Sequence, residues 1–193
     1  MEDTEVQNLS DIEIKGIDYS DKDLNNSTFE NVTFTNCNFN NTKMTNSTIE
    51  STRFQSCNLG NVDFSNSRLL DIQFLGCKLT GLALYKCRQK EFDFIFENSK
   101  LEYCNFSDAN MKRNTFNDCE IIESYFQNTF LSEAVFTNTL FQRTVFHKCN
   151  LQKANFSNSD GYVIDPRDCK IEKAIFSSPG VFGLLDVFQI QIV

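Results

Sequence analysis

The sequence predicts an all-β fold, a square β-helix in which each five-residue unit forms one short side. Three observations carry that prediction. An apolar side chain returns every fifth residue and like residues return every twentieth, while glycine and proline, 7 and 2 in 193 residues, are too scarce for an ordinary all-β domain. A helix repeats its apolar positions at three and four and a half-buried strand at two, so a spacing of five needs another backbone.

The series opens at Leu9, Ile14, Tyr19 and Leu24, continues through Phe29, Phe34, Phe39, Met44 and Ile49, and reaches Leu84 without a polar exception. Two residues before these centres the side chain is usually small or β-branched, as at Ser27, Val32, Cys37 and Thr42. Each pentad therefore points two residues inward and three outward. The longer period appears in Cys37, Cys57 and Cys77 and in Phe34, Phe54 and Phe74. Four pentads make one coil, and like residues stack in columns about one strand spacing apart, roughly 4.8 Å. A unit too short to bury its own face must stack on its neighbours, which is the logic of a solenoid. With so little glycine, Asn and Asp must supply the turns.

Beyond Leu84 the count fails at Gln89, then resumes two residues out of phase from Leu101 to Phe156. An interruption therefore lies within 85–99, as a protruding loop or a bulge near 88–93. Perfect coils are nearly featureless, so partner recognition is expected where Arg88, Gln89, Lys90, Glu91 and Phe92 project from the break. The solenoid is expected over 1–176 and a capping segment over 177–193. In that segment Val181, Phe182, Leu184, Leu185, Phe188, Ile190 and Ile192 offer more apolar surface than one coil end requires, which predicts a homodimer.

The chemistry is sparse. Eight cysteines fall on small inward positions and read as compact core filler rather than metal ligands. His147, the single histidine, has no companions in a nucleophile or metal pattern, so neither an enzyme nor a cofactor is expected. The net charge of −8 argues against a nucleic-acid backbone or an anionic membrane as partner and permits a basic one. The acidic N-terminus lacks a secretory pattern and no long apolar span occurs, so a cytoplasmic protein is expected. Glu30, Glu50, Asp63, Asp71, Glu102, Asp108, Asp118, Glu120, Glu123 and Glu133 all fall on outward positions. They read either as a solvated surface or as a negative field resembling that of duplex DNA.

The local copies "ANFSN" at 154–158, "CNFSD" at 104–108 and "CNFNN" at 37–41 resemble the pentapeptide-repeat proteins, and the resemblance implies a right-handed quadrilateral β-helix. The end of the chain is similar to the quinolone-resistance (Qnr-like) subgroup, in Asp165 with Arg167, in Ala174 with Phe176, and in "SPGVFGLLDVF" as a short helix before the last β segment. The first half lacks the extra loop of several plasmid-borne members. The resemblance implies a homodimeric, non-enzymatic binder of DNA gyrase, and of topoisomerase IV as a further target, that protects them from fluoroquinolones or another poison. A scaffold for an unrelated protein partner is the alternative.

Overall fold

The computed structural model describes residues 7–191. It is a parallel β-solenoid of about 8 turns. The first face is centred on Leu9, Phe29, Ile49 and Leu69, the second on Ile14, Phe34, Phe54 and Phe74. The third runs through Leu59 and Leu79, and the fourth through Met44 and Phe64. Ladder partners lie one coil apart, as Phe29 with Ile49 and Phe34 with Phe54.

The corners fall two residues after each centre, where the chain enters the left-handed region. Asn31, Asn36, Asn41 and Asn46 have φ between 52° and 57°. Asn and Asp tolerate that region best among residues with a side chain, which is why glycine can be rare here. Their amides also bond along the rod: Asn31 Nδ2 donates to Asp11 Oδ1 at 2.7 Å, and Asn158 Nδ2 to Asn138 Oδ1 at 3.2 Å.

The interior holds two kinds of column. Phe74, Phe96, Phe116, Phe136 and Phe156 stack with ring centroids 4.8 to 5.0 Å apart, and Phe126 meets Phe116 edge-on at 6.0 Å. The small inward residues do more than fill space. At some of them the side chain of the next coil accepts the backbone N–H, Ser27 N–H donating to Ser47 Oγ at 3.1 Å and Ser47 N–H to Ser67 Oγ at 2.9 Å, while at others, such as Ser67 and Ala109, the N–H turns back to the carbonyl three residues earlier. Cysteine serves in the same way, with Cys37 N–H on Cys57 Sγ at 3.4 Å and the Cys57 thiol on Phe34 O at 3.3 Å. Where the next coil's side chain takes the N–H, the inward residue must be one that can both accept and donate; elsewhere Val32, Ala109 and Ala134 simply fill the space.

All eight cysteines are buried and unbridged. Burial pushes the thiols of Cys87, Cys104 and Cys119 up to about 12 from an ordinary 9.0. Because the folded value lies above the unfolded one, this contribution to stability is complete below pH 9 and is lost as pH rises toward about 12. We expect native protein at pH 7.5 to resist alkylation by iodoacetamide, and urea midpoints to fall between pH 8 and pH 11. Rapid labelling of the folded chain would contradict this.

The register changes once within the solenoid's middle. Arg88 N–H reaches Ser67 O with the spacing of the first coils, whereas Lys100 N–H reaches Cys77 O with two residues more. Phe74 accordingly faces Phe96, and Phe96 faces Phe116 in the old spacing. The two extra residues are absorbed on one face as a compact bulge between Arg88 and Phe94. Asn114 makes that possible: its Nδ2 donates to Phe92 O at 2.7 Å and its Oδ1 accepts from Phe94 N–H at 2.9 Å, so one buried amide satisfies both backbone groups that the bulge displaces.

Candidate interaction surfaces

The outward acids spread over the rod instead of forming one stripe. Glu30, Glu50, Asp71 and Glu133 flank the first face, Asp118 a corner of the second, Glu102, Glu120 and Glu123 the third, and Asp63 and Asp108 the fourth. All ten keep solvent contact. The third face brings three of them together, because Glu102 and Glu120 stand in adjacent coils and Glu123 turns the next corner.

Several are already engaged. Lys100 Nζ lies 3.0 Å from Glu102, Arg143 Nε donates to Glu123 at 2.9 Å, and Arg113 Nε donates to Glu133 at 3.1 Å with Lys112 nearby at 3.6 Å. The Arg113 hydrogen bond holds the Glu133 carboxyl below the usual carboxylate range. Asp63 Oδ1 caps its own turn by accepting Ser65 N–H at 3.0 Å. Glu30, Glu120 and Asp71 form no ion pair among the described residues. The negative field is thus carried by part of the set.

At the register break Arg88, Lys90 and Glu91 are exposed. The sequence expectation that Phe92 also projects is corrected here: it is 5% exposed and packs 5.3 Å from Phe94. The bulge rotates this ring into the column that continues as Met111, since leaving it outside would open a gap in the core. Gln89 is also held inward, its Nε2 donating to Leu69 O at 2.6 Å while its Oε1 is buried without a partner. A Gly/Ser exchange of the whole segment would remove core as well as surface, so recognition by the bulge is tested by alanine at Arg88, Lys90 and Glu91 alone.

His147, which the sequence leaves without companions, has one after all. Its Nδ1 lies 2.8 Å from Asp168 Oδ2, the same oxygen that accepts Lys148 N–H at 2.7 Å. The pair ties the connector after Ile164 to the preceding coil. Arg167 in that connector bonds Asp165, holding its carboxyl at about 2, and lays its guanidinium 4.9 Å from the Phe188 ring centre. Among the described residues no cluster of His, Cys, Asp and Glu could hold a metal ion, and no helix is long and apolar enough to cross a membrane.

The C-terminal helix is a pair of 3-10 turns, Gly180–Leu184 and Asp186–Phe188. Close approach fixes two glycines in it: a Cβ on Gly183 would sit 2.0 Å from Tyr162 O, and one on Gly180 2.4 Å from Ser159 O. Docked in this way, the tail exposes Val181, Phe182, Leu185, Phe188 and Ile190, with Leu184 half-buried against the core. Ile192 lies outside the described residues. We expect Gly183→Val to lift the tail off the last coil, seen as faster tryptic or chymotryptic loss of the C-terminus and a lower melting temperature. An unchanged digestion pattern would contradict the docking.

The sequence model of the pentapeptide repeat region matches residues 7–84 and again 48–126, and that of pentapeptide repeats (8 copies) matches 119–158. The chain belongs to the pentapeptide-repeat family. Among solved structures, a trypsin-treated variant of QnrB1, a plasmid-mediated fluoroquinolone resistance protein, is similar over 97% of this chain and 99% of its own, with a TM-score of 0.71 at 17% identity. A second trypsin-treated QnrB1 variant gives 0.61 at 16% identity over 97% and 96%. HetL, a pentapeptide-repeat protein involved in heterocyst differentiation regulation from the cyanobacterium Nostoc sp. strain PCC 7120, gives 0.73 at 14% identity over 89% and 86%. No curated protein matches the sequence. At these identities the likeness concerns the shared right-handed quadrilateral fold.

Proposed function

We propose that this pentapeptide-repeat chain is a non-enzymatic, cytoplasmic interaction protein that occupies the DNA-binding surface of a type II topoisomerase, DNA gyrase first and topoisomerase IV as a further target. There it protects the enzyme from fluoroquinolones or another poison. The observation that carries the reading is the end-to-end likeness to QnrB1, which takes in the capping tail as well as the coils. The shape is compatible. About eight coils give a rod of roughly 40 Å, and two copies joined through the exposed apolar tail give roughly 80 Å, the span of some two dozen base pairs. A net charge of −8 favours a basic groove, with the third face and its Glu102, Glu120 and Glu123 as the side turned toward it.

A scaffold role with an unrelated protein partner is the second reading, and the ion pairs that tie up Glu102, Glu123 and Glu133 favour it. Purified gyrase separates the two. With a fluoroquinolone present, the first reading expects supercoiling activity to recover as the protein is added. Alanine at Arg88, Lys90 and Glu91 should weaken that recovery if the bulge contributes recognition. No recovery at any ratio would leave the scaffold reading.

A further inference from the structure

The first face is electrically bipolar. Its N-terminal half presents Asp11, Glu30 and Asp71, and its C-terminal half presents Arg113, Lys153 and Lys173, all exposed. The centres behind them run from Leu9 to Ile171 in one continuous series of coils. The register break falls at the middle of that series, with as many coils before it as after it.

We propose that the first face binds a second copy of this chain, laid antiparallel and face to face. A twofold axis lying in the interface and crossing the rod at the break reverses the order of coils while keeping each side chain on its own side of the face. Because both rods have the same coil spacing, registration at one coil registers them all. Asp11 then meets Lys173 and Asp71 meets Arg113 at the same strand position, and Glu30 meets Lys153 one residue to the side, each pair occurring twice by symmetry. Two like-signed meetings arise one residue off register, Glu50 with Glu133 and Asp11 with Glu172; Arg113 and Lys112 already neutralise Glu133 in the same chain, and Asp11 has Lys173 directly opposite. At the axis Lys90 and Glu91 each face their own copy, with the opposite charge one residue to the side.

The contact is flat and modest. A face roughly 40 Å long and three extended residues, about 10 Å, wide hides about 800 Å² in total, below the ~1,200 Å² of stable interfaces. It should therefore be reversible, and strongest where charges are least screened. It is separate from the apolar tail contact and leaves the third face free, so it stands whether or not a topoisomerase is the target.

Zero-length carbodiimide cross-linking of the intact protein, read by mass spectrometry, tests it directly. Within one chain Glu30 and Lys153 are six coils apart, roughly 29 Å, so a bond between them must join two copies. At about 0.01 M salt, with a screening length of ~30 Å, the Glu30 to Lys153 and Asp11 to Lys173 cross-links should form. At about 1 M salt, where that length is ~3 Å, their yield should fall about tenfold or more. The acid-reversed variant (Asp11→Lys, Glu30→Lys, Asp71→Lys) and the base-reversed variant (Arg113→Glu, Lys153→Glu, Lys173→Glu) should each lose the salt-sensitive association in sedimentation, and an equal mixture of the two should regain it. Absence of both cross-links in the native protein at low salt, or an unchanged yield at high salt, would overturn the proposal, as would a mixture of folded variants that fails to associate.

Discussion

Replacing Phe116 by alanine lowers the stability of the fold by about 3 to 5 kcal/mol, the range for truncating a fully buried phenylalanine. Phe116 is 0% exposed, stacks 4.8 Å from both Phe96 and Phe136, and meets Phe106 and Phe126 edge-on at 6.0 Å. Strands above and below are fixed by their ladders, so the rod cannot collapse sideways to close the cavity. In a solenoid, stability is the sum of each coil and its two interfaces, so a central defect also uncouples the two halves. The same substitution at Phe176, half-buried near the end, should cost less than half as much. Urea melts of the two variants make the comparison, and a Phe116→Ala loss under about 1 kcal/mol would contradict the continuous aromatic column.

Replacing Asn114 by leucine costs about 2 to 6 kcal/mol, since it strands two buried backbone groups at about 1 to 3 kcal/mol each. The groups are Phe92 O and Phe94 N–H, both bonded to this one amide. Leucine keeps the volume and removes both partners, so packing and hydrogen bonding are separated. Aspartate should also be poor, because it keeps the acceptor for Phe94 N–H but brings a buried charge and no donor for Phe92 O. Hydrogen exchange should report the loss locally, with protection falling first around 88–97 and only later in the terminal coils. Uniform loss along the rod would argue against a local keystone.

The fold was legible because a strict period leaves few backbones to choose from. Five residues per side follow from Phe29, Phe34 and Phe39 and twenty per coil from Phe34, Phe54 and Phe74, and Asn at the corners supplies the left-handed turns that glycine does not. The bulge was legible only as a count of two. What absorbs it depends on contacts between coils that a count does not carry, and for that reason Phe92 reads as projecting when it is core. A signal for Asn114 was nonetheless present: it is an amide at an inward position that the neighbouring pentads give to small residues, Cys104, Ala109, Cys119 and Ser124. The cysteines read correctly as buried, but the bond from Cys37 N–H to Cys57 Sγ, and those from thiols to carbonyls of the preceding coil, appear only when the coils are stacked. The surface was least legible. Outward positions identify which acids meet water, while neutralisation of Glu123 by Arg143 or Glu133 by Arg113 depends on which corner lies one coil away.

The central claim, that this rod takes the place of DNA on a topoisomerase, is tested most directly by competition. Fluorescent duplex DNA is bound to purified gyrase, and the protein is titrated in while anisotropy is followed. The account predicts displacement of the duplex, weakening steeply as salt rises because exposed charges are screened within about 10 Å at 0.1 M. Unchanged anisotropy at every protein concentration, or displacement indifferent to salt, would contradict it.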